Sequence, residues 1–141
     1  MIYVQDDDLK SQLKLLEHFA GSDRFIVVAW QYPEINKSPV PFFPTSVAHR
    51  NYEPVTTYEY GVVAKHTKPT KAKPSMMAYL GNFSAEIVRA YDSICLYRVG
   101  SREWFACTIG HEGMCLVRDD AFLQELQGKG FNASTKQPDW W

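Results

Sequence analysis

"SICLYRVGSREWFACTIGHEGMCLVR", residues 93–118, decides how this chain folds. Three apolar runs, "SICLYRV", "REWFACTI" and "MCLVR", are separated by Gly100-Ser101 and by Gly110-His111-Glu112-Gly113. A glycine-bearing pair between strand-forming runs is the signal of a two-residue hairpin. The four-residue turn then leads into a third strand, so the stretch reads as an antiparallel meander with Ile109 opposite Met114. Strand alternation puts Cys107 on the face of Phe105 and Ile109 and sends Cys115 to the opposite face.

Working outward from the meander, Asp119 or Asp120 caps a final helix carrying Phe122, Leu123 and Leu126, and Gly128 or Gly130 ends it. At the other end of the chain, Leu9, Leu13, Leu16 and Phe19 are spaced to line one helix face. Asp6, Asp7 and Asp8 precede that face, where a carboxylate caps free amides and complements the helix dipole. Gly21 is a stop. "RFIVVAWQY" (24–32) is short, apolar and β-branched, and "TTYEYGVVAK" (56–65) resumes as a strand. "SMMAYLGNF" (75–83) reads as another strand, with a short helix starting near Ser84 and running to about Tyr91. Between them, residues 33–54 hold five prolines, which deny ladder donors and leave a long loop. Phe42 and Phe43 in that loop favour wrapping over the core. The expected fold class is α+β: an antiparallel sheet of about five strands, with N- and C-terminal helices packed on one face, in a single domain spanning 1–141.

Composition narrows the function classes. The chain has 141 residues, 45% hydrophobic and 14% aromatic, so a core forms without metals or disulfides. A net charge of −1 argues against general electrostatic affinity for nucleic acid. The opening "MIYVQDDDLK" is acidic where an export signal is basic and apolar, and no apolar run is long enough to cross a bilayer. A cytoplasmic location is expected, and three cysteines without close spacing fit a reducing compartment.

Motifs for catalysis are not found. Cys95, Cys107 and Cys115 lack the chelating pairs that zinc needs, and they read as buried structural thiols. His111-Glu112 lies in a turn without the second histidine of a metalloprotease helix, so His111 reads as an exposed turn residue. His18, His49 and His66 fall in separate elements. "QGKGF" places its glycines at a helix end, whereas anion binding belongs to helix starts. No metal or cofactor is expected.

Binding features are more evident. "KHTKPTKAKPS" (65–75) carries Lys65, His66, Lys68, Lys71 and Lys73, a stretch able to meet phosphates or an acidic partner. It lacks arginine forks and aromatic platforms, so a solvated loop beside a strand edge is the plainer reading. Asp6, Asp7 and Asp8 are capping residues that also suit a basic partner. Trp140 and Trp141 in "QPDWW" either dock on the protein's own core or anchor an interface. The expectation is a small cytoplasmic protein-binding module, most concretely an immunity-type or phage-type inhibitor occluding a toxin or defence enzyme. Its partner-binding residues are Asp6, Asp7, Asp8, His111, Glu112, Trp140 and Trp141. A small enzyme or nucleotide-binding protein, and a nucleic-acid accessory protein using the lysine stretch, are the alternatives.

Overall fold

The computed structural model describes residues 1–21, 25–31, 52–59, 62–64, 68–70, 91 and 93–141. Its strands are β1 (Ile2–Val4), β2 (Phe25–Gln31), β3 (Thr57–Glu59), β4 (Val62–Ala64), β5 (Lys68–Thr70), β6 (Ser93–Arg98), β7 (Trp104–Ile109), β8 (Met114–Val117) and β9 (Ala133–Ser134). Among the described residues the helices are α1 (Leu9–Ala20) and α2 (Leu123–Gly128), with 3-10 turns at Gly110–Glu112 and Asp120–Phe122. Among the described residues, seven strands form one sheet in the order β5-β2-β6-β7-β8-β1-β9, with every neighbouring pair antiparallel. The α+β class and the antiparallel sheet hold. The sheet exceeds the expected five strands by two, and its pieces toward the two edges are short: β5 and β1 have three residues each and β9 two.

The meander forms as read, with Ile109 opposite Met114. The turn between them is a helical half-turn ending at Gly113, whose φ of +62° suits glycine. The preceding connection is longer than two residues: β6 ends at Arg98 and β7 starts at Trp104, with Ser101 N–H donating to Arg98 O at 2.8 Å. "TTYEYGVVAK" is corrected as well. It is two strands, β3 and β4, paired antiparallel with Glu59 opposite Val62. The expected strand at 75–83, the helix after Ser84 and the wrapping of Phe42 and Phe43 lie outside the described residues.

The sheet has two buried faces, because its central strands are apolar at successive positions rather than alternate ones. Ile2, Val4, Val27, Ala29, Ile94, Leu96, Cys115 and Val117 share one cluster with Leu15, Leu16 and Phe19 of α1 and Leu126 of α2. The other cluster holds Val28, Trp30, Cys95, Tyr97, Trp104, Cys107, Ile109, Met114 and Leu116. Cys107 and Cys115 therefore lie on opposite faces, as alternation requires. Phe105 does not follow alternation. The register steps from Leu96 opposite Ala106 to Tyr97 opposite Trp104, so Phe105 is the extra residue of a bulge. The bulge turns Phe105 onto the helix face, into edge contact with Phe19 at 4.9 Å and Phe122 at 5.7 Å. Such aromatic pairs add about 0.5–1.5 kcal/mol each beyond area burial, which favours the irregular strand.

Asp8 caps α1 as expected, whereas Asp119 caps the single 3-10 turn Asp120–Phe122 that leads into α2, and α2 itself starts after Phe122 without a side-chain cap. Asp8 Oδ1 accepts from Ser11 N–H at 2.9 Å, and Asp119 Oδ1 accepts from Ala121 N–H at 3.0 Å. After α2 the chain reverses through Gly130, at φ +87°, where Phe131 N–H donates to Leu126 O at 3.1 Å. His18 Nε2 lies 2.8 Å from Glu125 Oε1, tying α1 to α2. Among the described residues, no helix is long and apolar enough to cross a membrane.

Candidate functional site

The face away from the helices is covered, among the described residues, by a strap that ends in β3 and by the C-terminal tail. The strap, residues 52–59, is fixed by buried polar atoms. Trp30 Nε1–H donates to Tyr97 Oη at 3.0 Å, and Tyr97 Oη–H donates to Glu53 O at 2.6 Å. Burial, and secondarily the neighbouring Cys95, push the Tyr97 phenol above its ordinary range, so it stays protonated and able to donate. Tyr52 rests on Tyr97 with ring centroids 4.7 Å apart, and Glu53 N–H donates to Arg102 O at 2.9 Å. Val55 is buried in the same cluster.

The tail folds back on itself. Trp141 N–H donates to Pro138 O at 3.1 Å, and Gln137 Nε2–H donates to Trp141 O at 2.6 Å. This places Trp141 in the second core cluster, 5% exposed, with Tyr58 of the strap at 5.6 Å.

Strap and tail do not meet flush. A concavity of about 430 Å³ opens between them, lined chiefly by Tyr3, Glu53, Tyr58, Trp104, Arg118 and Trp141. That volume is within the range of small binding clefts. Arg118 divides it from a second hollow of about 380 Å³ beside Arg98, Glu103, Asp119 and Asp120. The guanidinium of Arg118 lies over the Trp104 ring at 4.2 Å, 2.5 Å from Glu53 Oε2 and 3.7 Å from Glu103 Oε2. Stacking and two carboxylates hold this cation in one place. Tyr3 has its phenol raised by burial first, then by Tyr58 and Asp120.

Comparison with known protein families, curated proteins and solved structures gives no match for this chain. The site therefore stands on its own geometry. It brings together tryptophan, tyrosine and arginine, the residue types enriched at interface hot spots in general. Among the described residues, no three histidine, cysteine or acidic side chains come together as a metal site.

The residues singled out from the sequence fall in three places. Trp141 lines the concavity, and Trp140 packs at 6.2 Å from it on the edge of the same cluster. Asp6, Asp7, Asp8, His111 and Glu112 lie elsewhere, and of the three acids Asp7 meets the turn that carries His111 and Glu112 and precedes β8. Val4 pairs with Cys115, which brings Asp7 against Gly113. Asp6 Oδ2 accepts from Asn132 N–H at 3.1 Å, and His111 Nε2 is 3.3 Å from Glu112 Oε1. Gly113 and Arg118 flank the two ends of β8, so this acidic group and the concavity are separate surfaces. Lys65, His66, Lys71 and Lys73 lie outside the described residues. The backbone of Lys68 is in β5, opposite Gln31. Tyr3, Glu53, Tyr58, Trp104 and Arg118 carried no motif in the sequence. The usable signal was the aromatic residues within the meander and an arginine closing its last strand.

Proposed function

We propose that this protein is a cytoplasmic protein-binding module, an immunity-type or phage-type inhibitor that occludes a partner enzyme. One observation carries the reading: the seam between strap and tail, where Arg118 stacked on Trp104 sits among Tyr3, Tyr58 and Trp141. A fixed cation between aromatic walls offers an apolar anchor pocket whose ordering is already complete before binding. Glu53, Glu103, Asp119 and Asp120 surround Arg118, and this acidic rim favours a partner segment with an apolar anchor flanked by basic side chains. The mechanism is steric cover of the partner's working cleft, with the acids steering approach.

Thr56 is exposed and lines the concavity, so Thr56→Arg fills it and adds a positive charge without touching the core. Immobilised wild-type protein, exposed to extract of its native cell, is expected to retain a stoichiometric partner. The purified partner should lose activity on complex formation, and Thr56→Arg should weaken binding by at least about tenfold with an unchanged thermal melt. Equal retention by wild type and Thr56→Arg would remove the concavity from the interface, and full partner activity within the complex would remove the inhibitor reading.

A further inference from the structure

Two cysteines oppose each other at the centre of the sheet. Cys95 of β6 and Cys107 of β7 are direct cross-strand partners, both fully buried and both reduced. They share the aromatic-side cluster with Val28, Tyr97, Ile109 and Met114. Opposed residues in an antiparallel pair have Cα atoms about 4.5 or 5.5 Å apart, depending on their place in the ladder. A disulfide spans Cα separations of about 4.4–6.8 Å. The register alone therefore puts these two thiols within bridging reach.

The ladder is irregular on both sides of the pair, which supplies the local adjustment that closure needs. On one side is the Phe105 bulge, between Leu96 and Tyr97 on the facing strand. On the other, Ile94 N–H donates to the hydroxyl of Thr108 at 2.9 Å. Bulges raise local twist and loosen pairing. Cys115 provides an internal control, since it lies on the helix face of β8, opposite Thr108 of β7.

We propose that Cys95 and Cys107 are a redox-active dithiol, closing to a cross-strand disulfide when a small-molecule disulfide such as oxidised glutathione is the oxidant. One cysteine thiolate attacks a sulfur of the oxidant, forming a mixed disulfide and releasing one glutathione thiolate. The second cysteine thiolate attacks the protein sulfur of that mixed disulfide and releases the other glutathione thiolate. The two cysteines lose two protons and two electrons, and oxidised glutathione becomes two reduced molecules. Because both sulfurs are buried, exchange passes through local opening of the β6–β7 pair, so its rate rises in urea concentrations below the unfolding midpoint. The closed bridge pins the register next to the bulge.

The test equilibrates reduced full-length protein in glutathione buffers of graded oxidation, quenches with acid, alkylates in denaturant and maps the peptides by mass. The expected product is lighter than the reduced chain by about 2 Da before alkylation. It contains a Cys95–Cys107 peptide pair and an alkylated Cys115, and Cys115→Ser behaves identically. Cys95→Ser and Cys107→Ser should each abolish the intramolecular bridge. Three alkylated thiols at every buffer ratio, a mixed disulfide that never closes, or a bridge to Cys115 would each overturn the proposal. The wild-type and Cys115→Ser maps decide the question even if the other two variants fail to fold.

Discussion

Replacing Tyr97 by phenylalanine removes one oxygen from the middle of the aromatic face. That oxygen accepts from Trp30 Nε1 and donates to Glu53 O. The two partners respond differently. Glu53 is exposed, so its carbonyl recruits water, whereas the indole N–H of Trp30 stays buried without an acceptor. A stranded buried donor costs about 1–3 kcal/mol, so Tyr97→Phe should lose about 2 kcal/mol at neutral pH. For a chain of this size that lowers the thermal midpoint by roughly 6–8 °C. Urea titration followed by tryptophan fluorescence should show a lower midpoint with an unchanged m-value. The pH dependence gives a second readout. Burial raises the phenol pKa in the folded state, so the folded protein keeps this proton when the unfolded chain, ionising near pH 10, has lost it. Above about pH 10 the unfolded state binds fewer protons, and wild-type stability falls by about 1.4 kcal/mol per pH unit from this one group. Tyr97→Phe lacks that slope, so the two stability curves converge in alkali. A variant within about 0.5 kcal/mol of wild type, with the same alkaline slope, would refute the assignment of Tyr97 as the pin of the strap.

The remaining predictions concern local geometry. Hydrogen bonds from Ser11 hold the Asp8 carboxyl below its ordinary value, so its contribution is full above the unfolded pKa near 4 and lost as pH falls through the folded one. Asp8→Asn should keep the cap while flattening this acid dependence, and Asp8→Ala should lose helix at every pH, both read by circular dichroism in urea between about pH 2 and 6. At Gly113 a Cβ would lie 3.1 Å from Asp7 Cβ with φ at +62°, whereas at Gly100 it would meet nothing within 4 Å. Both alanine variants incur the left-handed penalty of about 1–2 kcal/mol, but Gly113→Ala must also displace Asp7 and should unfold at lower urea. Equal midpoints would show that the Asp7 contact yields freely.

What was legible in the sequence was local. The turn at Gly110–Gly113 fixed Ile109 opposite Met114, and the separation of Cys107 from Cys115 followed from counting. Asp8 and Asp119 were legible as caps because capping needs only the next few residues. Phe105 was not, since its reversal depends on Phe19 and Phe122, which are distant in sequence and present a second aromatic layer. The opposition of Cys95 and Cys107 also escaped, because it depends on where the first hairpin closes and on the bulge inside it. "TTYEYGVVAK" looked continuous because Tyr58, Tyr60, Val62 and Val63 are strand formers on both sides of Gly61, and a single glycine also occurs within strands. Of the site, only the terminal tryptophans stood out. Arg118 reads as an ordinary strand-end charge until Glu53, 65 residues earlier, is brought beside it. The acids at 6–8 drew attention through clustering, yet Asp8 is occupied with Ser11 and Asp6 with Asn132.

The location of the concavity has a physical cause in the way the two sheet faces are covered. A helix presents a continuous apolar stripe, so α1 and α2 seal their face by side-chain interdigitation. The opposite face is met, among the described residues, by a strap and a tail that lack such a stripe and are held at separate points. The strap is fixed at Tyr97 and Arg102, and the tail by its own turn at Pro138–Trp141. Two segments fixed independently leave a seam, and here the seam leaves Tyr3 and Tyr58 partly exposed beside Arg118, which lies over the buried ring of Trp104. Closing the seam from outside removes water from aromatic surface already held in place, so little ordering entropy opposes it. The helix face offers no equivalent gain. Occupation of the seam should therefore protect the segments carrying Tyr3 and Tyr58 from solvent while leaving exchange at α1 unchanged, a pattern that hydrogen exchange on the complex can read directly.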